Sequence, residues 1–552
     1  MAKRTKDSYK KRLSSLENGS NTFRAHWLEL SEYLLPYNGL YLSNTNQNTY
    51  NRGEKKGKKI INGMPTEALK TLASGLFSGL TPSSSPWFMM TIDDEDTKEL
   101  EAVKVWLHNV RNIMLGALTQ SNFYDVIAGV YNEIGGFGTS AMILEEDFDN
   151  ILRFRQFTIG SYYLANDKNN RANVLYRKFT MTAQQMVEEF GVENVTDSVK
   201  QTAENNDLET SFGIVHCIQP NTQPDKFKDF EYESIYFQEG AMDPEFLRES
   251  GYTTKPFAVA RWDIIGDGVY GDNCPGMMAL GDIKMLQKME KDKLQGLDKA
   301  VRPPMNAPSS LKNRPKSTVS GAVTYVDSVA TGQQGFTPTY LVNLDYQNIA
   351  FELDRVESRI KKFFFNELFF TVSSQTKSMT ATEVVRRHEE RVMIFGAVLE
   401  RLQSELFDDT LSRVYSILDN LGMIPEPPQE IIDKPLEIRY ISQLAQSQKA
   451  IQTTSLEQIT GFVSNIATLN PSSLDKIDFD EIVDQYSEMV GVQPKVIRTD
   501  DEVAVIREDR AKQQQAAQMV QAGKELADTS KTLSDTKMNT DSALDGLVGD
   551  QA

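Results

Sequence analysis

The sequence has few of the residues from which redox and metal sites are built. Its 552 residues include two cysteines, Cys217 and Cys274, and four histidines. Two cysteines cannot form a disulfide framework or a zinc quartet, so we expect two buried thiols in a reducing compartment. The histidines show neither an HExxH motif nor any paired spacing, and we therefore predict no metal site.

Long apolar runs are also absent. No stretch of about 18 apolar residues occurs, so we predict no membrane-spanning helix. The basic start MAKRTKDSYKKR continues into polar SSLENGSNTF, which predicts no signal peptide. A hydrophobic fraction of 40% and a charged fraction of 25% are typical of folded chains, and the length suits two to four domains.

Three short motifs resemble ligand sites but lack the necessary spacing. GEKKGKKI does not have the spacing of a phosphate loop. GDGVYGDN, residues 266–273, lacks the alternating acidic ligands of a calcium loop, and we interpret it as a glycine-rich turn. The acidic run DDED, residues 93–96, is interpreted as a solvated face. We therefore predict that the protein is not an enzyme and needs no cofactor.

The charge of the chain is predominantly acidic. The net charge is −18, from 59 Lys and Arg against 77 Asp and Glu. Such a charge argues against a tight, sequence-independent DNA-binding protein, because that class binds phosphates with basic side chains. Residues 52–59 are locally basic and are interpreted either as a surface loop or as an arm that contacts phosphates.

The N-terminal region predicts helices. Residues 8–35 indicate two helical pieces, interrupted at Asn18 and Gly19. A further helix begins near Pro65 and carries an apolar stripe on one face. Small residues occupy another face of this helix and cost stability, about 1 kcal/mol for each glycine. Another segment must therefore approach closely there, either within the chain or from a second copy. The stripe is Leu69, Leu72, Leu76 and Leu80, and the small face is Ser74, Gly75, Ser78 and Gly79.

Residues 99–147 indicate two more helices, the second from Phe123 to Ile134, and from residue 151 the pattern changes. Short β-branched and aromatic runs between turn residues predict the strands of one mixed α/β domain, with residues 167–171 as a hairpin turn.

The second half of the chain predicts long helices. Two of about 25 residues, over 277–301 and 344–370, are separated by a Pro/Gly/Ser-rich excursion that includes the strand-like GAVTYVDSV. After the polar loop TVSSQTKS, Thr380 and Glu383 form a capping box that begins a helix extending to residue 421. Residues 440–490 are predicted to be helical, and the end of the chain disordered.

Five segments occur in an order that resembles a known family. They are LASGLFSGLTPSSSPWF, GFGTSAM, YLANDKNNRANVLYRKFTMTAQQMVEEFG, RWDIIGDGVYGDNCPGMMALGDIKMLQK and the helix MTATEVVRRHEERVMIFGAVLERLQSELFDDTLSRVYSIL. Together they resemble the portal, or head-to-tail connector, proteins of short-tailed, podovirus-type bacteriophages. The similarity covers residues 10–520.

The resemblance implies an α+β, mostly helical fold with the architecture of a portal subunit. The implied parts are a mixed α/β wing over 1–275, stem helices over 276–301 and 344–370, a clip over 302–343, a tunnel loop over 371–379, a long spine helix and return over 380–435, a helical crown over 436–520 and a flexible tail over 521–552.

The resemblance also implies a function. A dodecameric ring would sit at one capsid vertex of the virion and form the channel for packaging and ejection of double-stranded DNA. Implied partners are the terminase large subunit, the tail adaptor, and the major capsid and scaffolding proteins, with no membrane. Assembly would take place in the host cytoplasm. Two other classes stay open: a DNA-packaging enzyme, which the missing phosphate loop disfavours, and a structural tail or scaffold protein without a DNA channel.

Candidate residues follow from this resemblance. Channel lysines could instead be solvated residues that pair with Asp282, Glu290 or Asp292. The DNA-channel candidates are Lys284, Lys288, Lys291 and Lys377; the clip candidates for docking a motor or adaptor are Arg302, Lys312, Arg314 and Lys316; the subunit-packing candidates are Ser74, Gly75, Ser78, Gly79, Trp87 and Phe88. Trp87 and Phe88 are expected to pin their segment to the wing core.

Overall fold

The chain divides into two compact units. The computed structural model describes residues 5–42, 56–94, 97, 100–221, 228–241, 246–306, 337–340, 345–369, 395–432, 434–441, 459–463, 465–466, 478–483, 498, 502–517, 519–520 and 524. The larger unit comprises Met1–Met90, Val110–Glu426 and Ile438–Asn465. The smaller unit comprises Thr91–Asn109, Pro427–Glu437 and Ile466–Ala552.

The described residues between 6 and 137 include four α-helices. The first is continuous through Asn18 and Gly19, so the predicted interruption there was wrong. A single glycine costs a helix only about 1 kcal/mol, and buried residues on either side, Leu13 and Trp27, hold this one in place. The helices are α1 (Lys6–Tyr33), α2 (Met64–Leu80), α3 (Glu101–Gln120) and α4 (Phe123–Phe137). The predicted leucine stripe of α2 is buried.

Strands β2 to β9 of the larger unit form two antiparallel sheets, where the sequence predicted one mixed domain. The three-stranded sheet has the order β3-β2-β9, and the five-stranded sheet follows chain order from β4 to β8. Strands β2 and β8 were not predicted. The strands are β2 (Thr139–Asp147), β3 (Ile151–Phe157), β4 (Tyr162–Asn166), β5 (Ala172–Thr182), β6 (Ser211–Pro220), β7 (Tyr232–Gln238), β8 (Arg248–Tyr252) and β9 (Phe257–Arg261).

Two short helices, α5 (Ala183–Phe190) and α6 (Asp197–Glu204), connect β5 to β6. Thr182 and Gln185 form a capping box that begins α5. The sequence analysis assigned neither helix.

The glycine-rich turn at 266–273 packs against the end of α4. Gly138 has a φ of +80°, and a Cβ there would lie 2.6 Å from the carbonyl oxygen of Gly271. The Trp262 amide donates to the Gly138 carbonyl at 2.9 Å. Because both glycines must lack a side chain for this approach, the segment serves as a packing turn, as the sequence predicted.

Helices return after the sheets. The predicted second long helix is divided, because Phe365 takes a φ of +53° and interrupts it. The π-helical turn Gln403–Phe407 joins α10 to α11. Residues 380–394 of the predicted long helix lie outside the described residues. The helices are α7 (Pro275–Val301), α8 (Tyr346–Phe363), α9 (Asn366–Phe369), α10 (Gly396–Leu402) and α11 (Asp408–Asn420).

Four shorter strands complete the description. Residue 440, predicted to begin a helical region, instead ends a strand; residues 459–463, 479–483 and 502–517 are helical. GAVTYVDSV lies outside the described residues. The strands are β1 (Phe88–Ile92), β10 (Met305–Asn306), its antiparallel partner β11 (Thr337–Pro338), and β12 (Leu436–Tyr440). In the described part of the chain, no helix is both long and apolar enough to cross a membrane.

Candidate functional site: the helical pair

Helices α7 and α8, called the helical pair from here on, pack against each other through apolar side chains. Ile283 and Leu286 of α7 are buried, as is Val356 of α8. Arg359 Nη2 lies 2.9 Å from Asp282 Oδ1 and adds an ion pair between the two helices. The sequence predicted an apolar side of α7 formed by Leu280, Ile283, Leu286, Leu294 and Leu297. The first three are buried, whereas Leu294 and Leu297 are exposed.

A polar clamp fixes the helical pair to the segment that precedes α2. The side chain of Asn62 donates to Glu290 Oε1 on α7 at 3.3 Å and to Glu357 Oε1 on α8 at 3.0 Å. Gln287 Oε1 accepts from the amides of Ile61 and Asn62 at 2.6 and 2.8 Å, and its Nε2 donates to the Asn62 carbonyl at 2.8 Å. The sequence did not predict this clamp. Asn62 is more than 200 positions from its partners on α7 and α8, and no local pattern links them.

The C-terminal half of α7 is uncovered. Its last buried residue is Gln287, and from there to Val301 the helix buries no side chain within the chain. Leu294 is 52% exposed and Val301 is 70% exposed. On α8, Phe351 is 66% exposed and Tyr346 is also exposed. Large apolar side chains grouped on two paired helices mark a surface for association.

The three DNA-channel candidates on α7 differ in their exposure and in their ion pairs. Lys284 forms an ion pair with Glu29 of α1, and Lys288 Nζ lies 2.9 Å from Asp292 Oδ1 one turn away. Lys291 is exposed and pairs with no carboxylate among the described residues. Of the alternative partners named from sequence, Asp292 is confirmed for Lys288. Asp282 instead pairs with Arg359, and Glu290 with Lys293 at 2.7 Å. Lys377 lies outside the described residues.

Among the clip candidates, Arg302 is exposed at the C-terminal end of α7, where its amide donates to the Asp298 carbonyl at 2.7 Å. Lys312, Arg314 and Lys316 lie outside the described residues.

The small face of α2 is divided between the interior and the surface. Gly75 is buried, and a Cβ there would lie 2.3 Å from ring atoms of Phe369 in the same chain. Gly79 is buried as well, whereas Ser74 and Ser78 are exposed. The close approach expected at Gly75 is therefore an intrachain contact, and the two serines remain available to a neighbour.

Trp87 and Phe88 are fully buried within the larger unit. The Trp87 ring centroid lies 5.3 Å from that of Phe407 and 6.1 Å from that of Phe123, and the Trp87 carbonyl accepts from the Ile441 amide at 3.0 Å. These contacts pin the segment to the core, as the sequence predicted, and leave neither ring exposed.

The described part of the basic segment lies against α1. Lys59 Nζ is 2.5 Å from Glu32 Oε2, and this hydrogen bond raises the pKa of Lys59. Lys56 Nζ lies 6.0 Å from the centroid of Tyr37. Residues 52–55 are outside the described residues.

Of the acidic run at 93–96, Asp93 and Asp94 are among the described residues, and Asp94 is not simply solvated. Asp94 forms an ion pair with Lys434 and accepts from Thr97 Oγ1 at 2.8 Å. These two hydrogen bonds lower the pKa of Asp94 to about 2.

No group of three His, Cys, Asp or Glu side chains is close enough to hold a metal ion in the described ranges. Both cysteines are buried, and burial raises the pKa of Cys274 to about 12. His216 is buried against Tyr236, and burial lowers the pKa of its imidazole well below the usual value.

Comparison with known proteins identifies the class. The sequence model of the family described as "Bacteriophage head to tail connecting protein" matches residues 6–497. The chain therefore belongs to the head-to-tail connecting, or portal, protein family of bacteriophages.

Two relatives show the same class in particular proteins. The "Portal protein" of Salmonella phage epsilon15 is 40% identical over 99% of both chains. The "Probable portal protein" of Bordetella phage BPP-1 is 37% identical over 97% of this chain and 96% of its own. The solved "Neck of empty GTA particle computed with C6 symmetry" matches 73% of this chain and 86% of that one, with 9% identity and a TM-score of 0.33, a likeness too distant to define the arrangement of this chain.

Proposed function

We propose that copies of this chain assemble into a ring, dodecameric in the capsid, that forms the portal channel for packaging and ejection of double-stranded DNA. Membership of the portal family supports this function. In this proposal residues 1–275 form the wing, the helical pair forms the stem, 302–343 the clip, 371–379 the tunnel loop, 380–435 the spine and return, 436–520 the crown and 521–552 a flexible tail.

The uncovered apolar side chains of the helical pair carry the proposal. Covering the exposed side chains of Leu294, Val301 and Phe351 would stabilise the assembly by roughly 25 cal/mol per Å² of apolar surface removed from water. In a closed ring, the neighbouring copy would cover these side chains, and every subunit would make the same contact. The exposed serines of α2, Ser74 and Ser78, are a second proposed contact between neighbours.

Weak attraction to DNA suits a channel through which the duplex must slide. The net charge of −18 limits attraction to phosphates. Among the proposed channel lysines, Lys288 and Lys291 are exposed and Lys284 is half-exposed and paired, so at most a few cations per subunit would keep the duplex centred.

The proposed partners follow from the same role. Arg302, Lys312, Arg314 and Lys316 would contact the terminase large subunit during packaging and the tail adaptor afterwards. The ring would assemble in the host cytoplasm with capsid and scaffolding proteins. ATP hydrolysis would belong to the terminase, and this chain would perform no covalent chemistry.

Negative-stain imaging of the purified protein tests the proposal. We expect class averages that show rings with a central opening wide enough for duplex DNA. Phe351→Asp should reduce the fraction of rings, because it places a charge in the proposed contact. Val192→Asp changes an apolar residue away from the helical pair that is 57% exposed, against 66% for Phe351, and should leave ring formation unchanged. Particles without an opening would favour a structural tail or scaffold protein, and lasting monomers would contradict the ring.

A further inference from the structure

A cavity of about 650 Å³ opens between the two sheets of the larger unit. The β2–β3 hairpin contributes one wall, β5 and the β7–β8 pair contribute another, and α5 and α11 close the ends. Five arginines and four carboxylates line it. They are Arg153, Arg155, Arg177, Arg248 and Arg413, with Glu145, Glu146, Asp147 and Glu189.

The charges of the cavity do not balance. Four of its five arginines are within 4 Å of a carboxylate, one each. The paired atoms are Arg153 Nη1 and Asp147 Oδ2 at 3.6 Å, Arg155 Nη2 and Glu145 Oε2 at 3.6 Å, Arg248 Nη1 and Glu189 Oε1 at 2.8 Å, and Arg413 Nη2 and Glu146 Oε1 at 3.4 Å. Arg177 has no carboxylate within that distance among the described residues, so one positive charge is left uncompensated.

Arg177 is also nearly buried and lies between two aromatic rings. It is 8% exposed, and its guanidinium carbon lies 4.5 Å from the centroid of Phe157 and 3.9 Å from that of Phe179. The two rings stabilise the cation, but an aromatic face is a poor substitute for the oxygen acceptors that five N–H donors require. Burial lowers the pKa of Arg177 to about 10.

The geometry of the guanidinium group favours a planar or tetrahedral oxyanion as the ligand. The planar guanidinium fork can donate two parallel hydrogen bonds to a carboxylate or phosphate group. Two exposed aromatic side chains, Phe148 at the hairpin tip and Phe230, also line the cavity.

We propose that this cavity is an oxyanion site in which the guanidinium of Arg177 binds a carboxylate or phosphate group. The oxyanion comes either from a free anion in solution or from an acidic side chain of a second copy of this chain. None of the residues that line the cavity belongs to the helical pair.

Thermal unfolding at increasing concentrations of inorganic phosphate tests the site. The pH is held constant, and chloride is adjusted to keep the ionic strength constant. The melting temperature of the native protein should rise with phosphate concentration, because a ligand that binds only the folded state stabilises it. Arg177→Met should bind phosphate at least about tenfold more weakly and lose this rise. Arg355→Met removes an arginine that has a carboxylate partner, is 65% exposed in its side chain and does not line the cavity, so its response should match the native one.

Sedimentation velocity distinguishes the two sources. If a second copy supplies the carboxylate, the native protein associates in chloride, and both phosphate and Arg177→Met reduce that association. Arg177→Lys keeps the positive charge but loses the two parallel N–H donors of the guanidinium group, so it should bind phosphate more weakly than the native protein. If Arg177→Met does not fold, this variant tests whether Arg177 binds the oxyanion. The proposal is overturned if phosphate changes neither melting nor association of the native protein, or if the Arg177 variants respond as the native protein does.

Discussion

The guanidinium of Arg261 and the carboxylate of Glu405 form a two-point ion pair inside the larger unit. Nε lies 2.9 Å from Oε2, and Nη2 lies 2.7 Å from Oε1. Arg261 is 0% exposed. Its Nη2 also donates to the Asn170 carbonyl at 2.8 Å. The pair thus joins β9 to the β4–β5 hairpin turn and to the π-helical turn between α10 and α11.

Removal of the charge of Glu405 should destabilise the protein strongly. Glu405→Gln leaves the Arg261 cation buried without its counter-ion, and we expect the free energy of unfolding to fall by about 3–5 kcal/mol. Urea denaturation at fixed protein concentration measures the loss. Glu352→Gln breaks an exposed pair with Arg355 and should cost at most about 1 kcal/mol. Equal losses in the two variants would contradict the structural role of the buried pair.

Gly75→Ala should destabilise the protein even though alanine is the better helix former. The added methyl overlaps the ring of Phe369, and overpacking of this kind costs about 1–3 kcal/mol. Ser74→Ala, one position away and exposed, should change the unfolding free energy by less than about 0.5 kcal/mol. If the ring is the cause, Phe369→Ala combined with Gly75→Ala should cost less than the sum of the two single changes. Additive losses would place the strain elsewhere.

Large side chains at the exposed serines test the proposed contact between neighbours. We expect Ser78→Trp to lower the fraction of assembled rings in negative-stain images, because a neighbouring helix could no longer approach α2. The thermal unfolding of the unassembled chain should stay unchanged, since the serine has no buried neighbour to displace. Normal ring yield in this variant would assign the small face to intrachain packing alone.

The buried acid Glu133 should make stability depend on pH. Asn38 Nδ2 donates to its Oε1 at 3.0 Å and Ser140 Oγ to its Oε2 at 3.1 Å, yet burial raises its pKa to about 7. The folded state therefore holds a proton that the unfolded chain releases near pH 4.5. This contribution is fully present below pH 4.5, is lost as pH rises to about 7, and is constant above that.

Glu133→Gln should remove that dependence. We expect the urea midpoint of the native protein to fall more steeply between pH 5 and pH 7 than that of the variant, because the amide cannot titrate. Glu101→Gln, at an exposed helix start, should retain the native slope. A variant whose slope equals the native slope would show that another group titrates in this window.

Sequence patterns predicted the elements whose signals are local. The alternation of β-branched and aromatic residues located β5, β6 and β7, and the leucine spacing of α2 marked the stripe that is buried. The sequence did not predict that the second long helix is interrupted at Phe365. The positive φ of this residue depends on packing, and hydrophobic periodicity gives no signal for it. The sequence pattern also failed at Asn18 and Gly19, where residues that often end a helix are carried through by tertiary contacts.

The sequence by itself determined the family, the principal helices and the buried state of Trp87 and Phe88, because these depend on motif order, on short-range propensity and on hydrophobicity. Tertiary structure alone decided that Arg261 meets Glu405, that Asn62 clamps both members of the helical pair, and that no carboxylate of the described residues lies within 4 Å of Arg177. The physical reason is that an ion pair or a buried cavity depends on which distant segments the fold brings within a few ångströms, and single-sequence patterns carry no record of that distance.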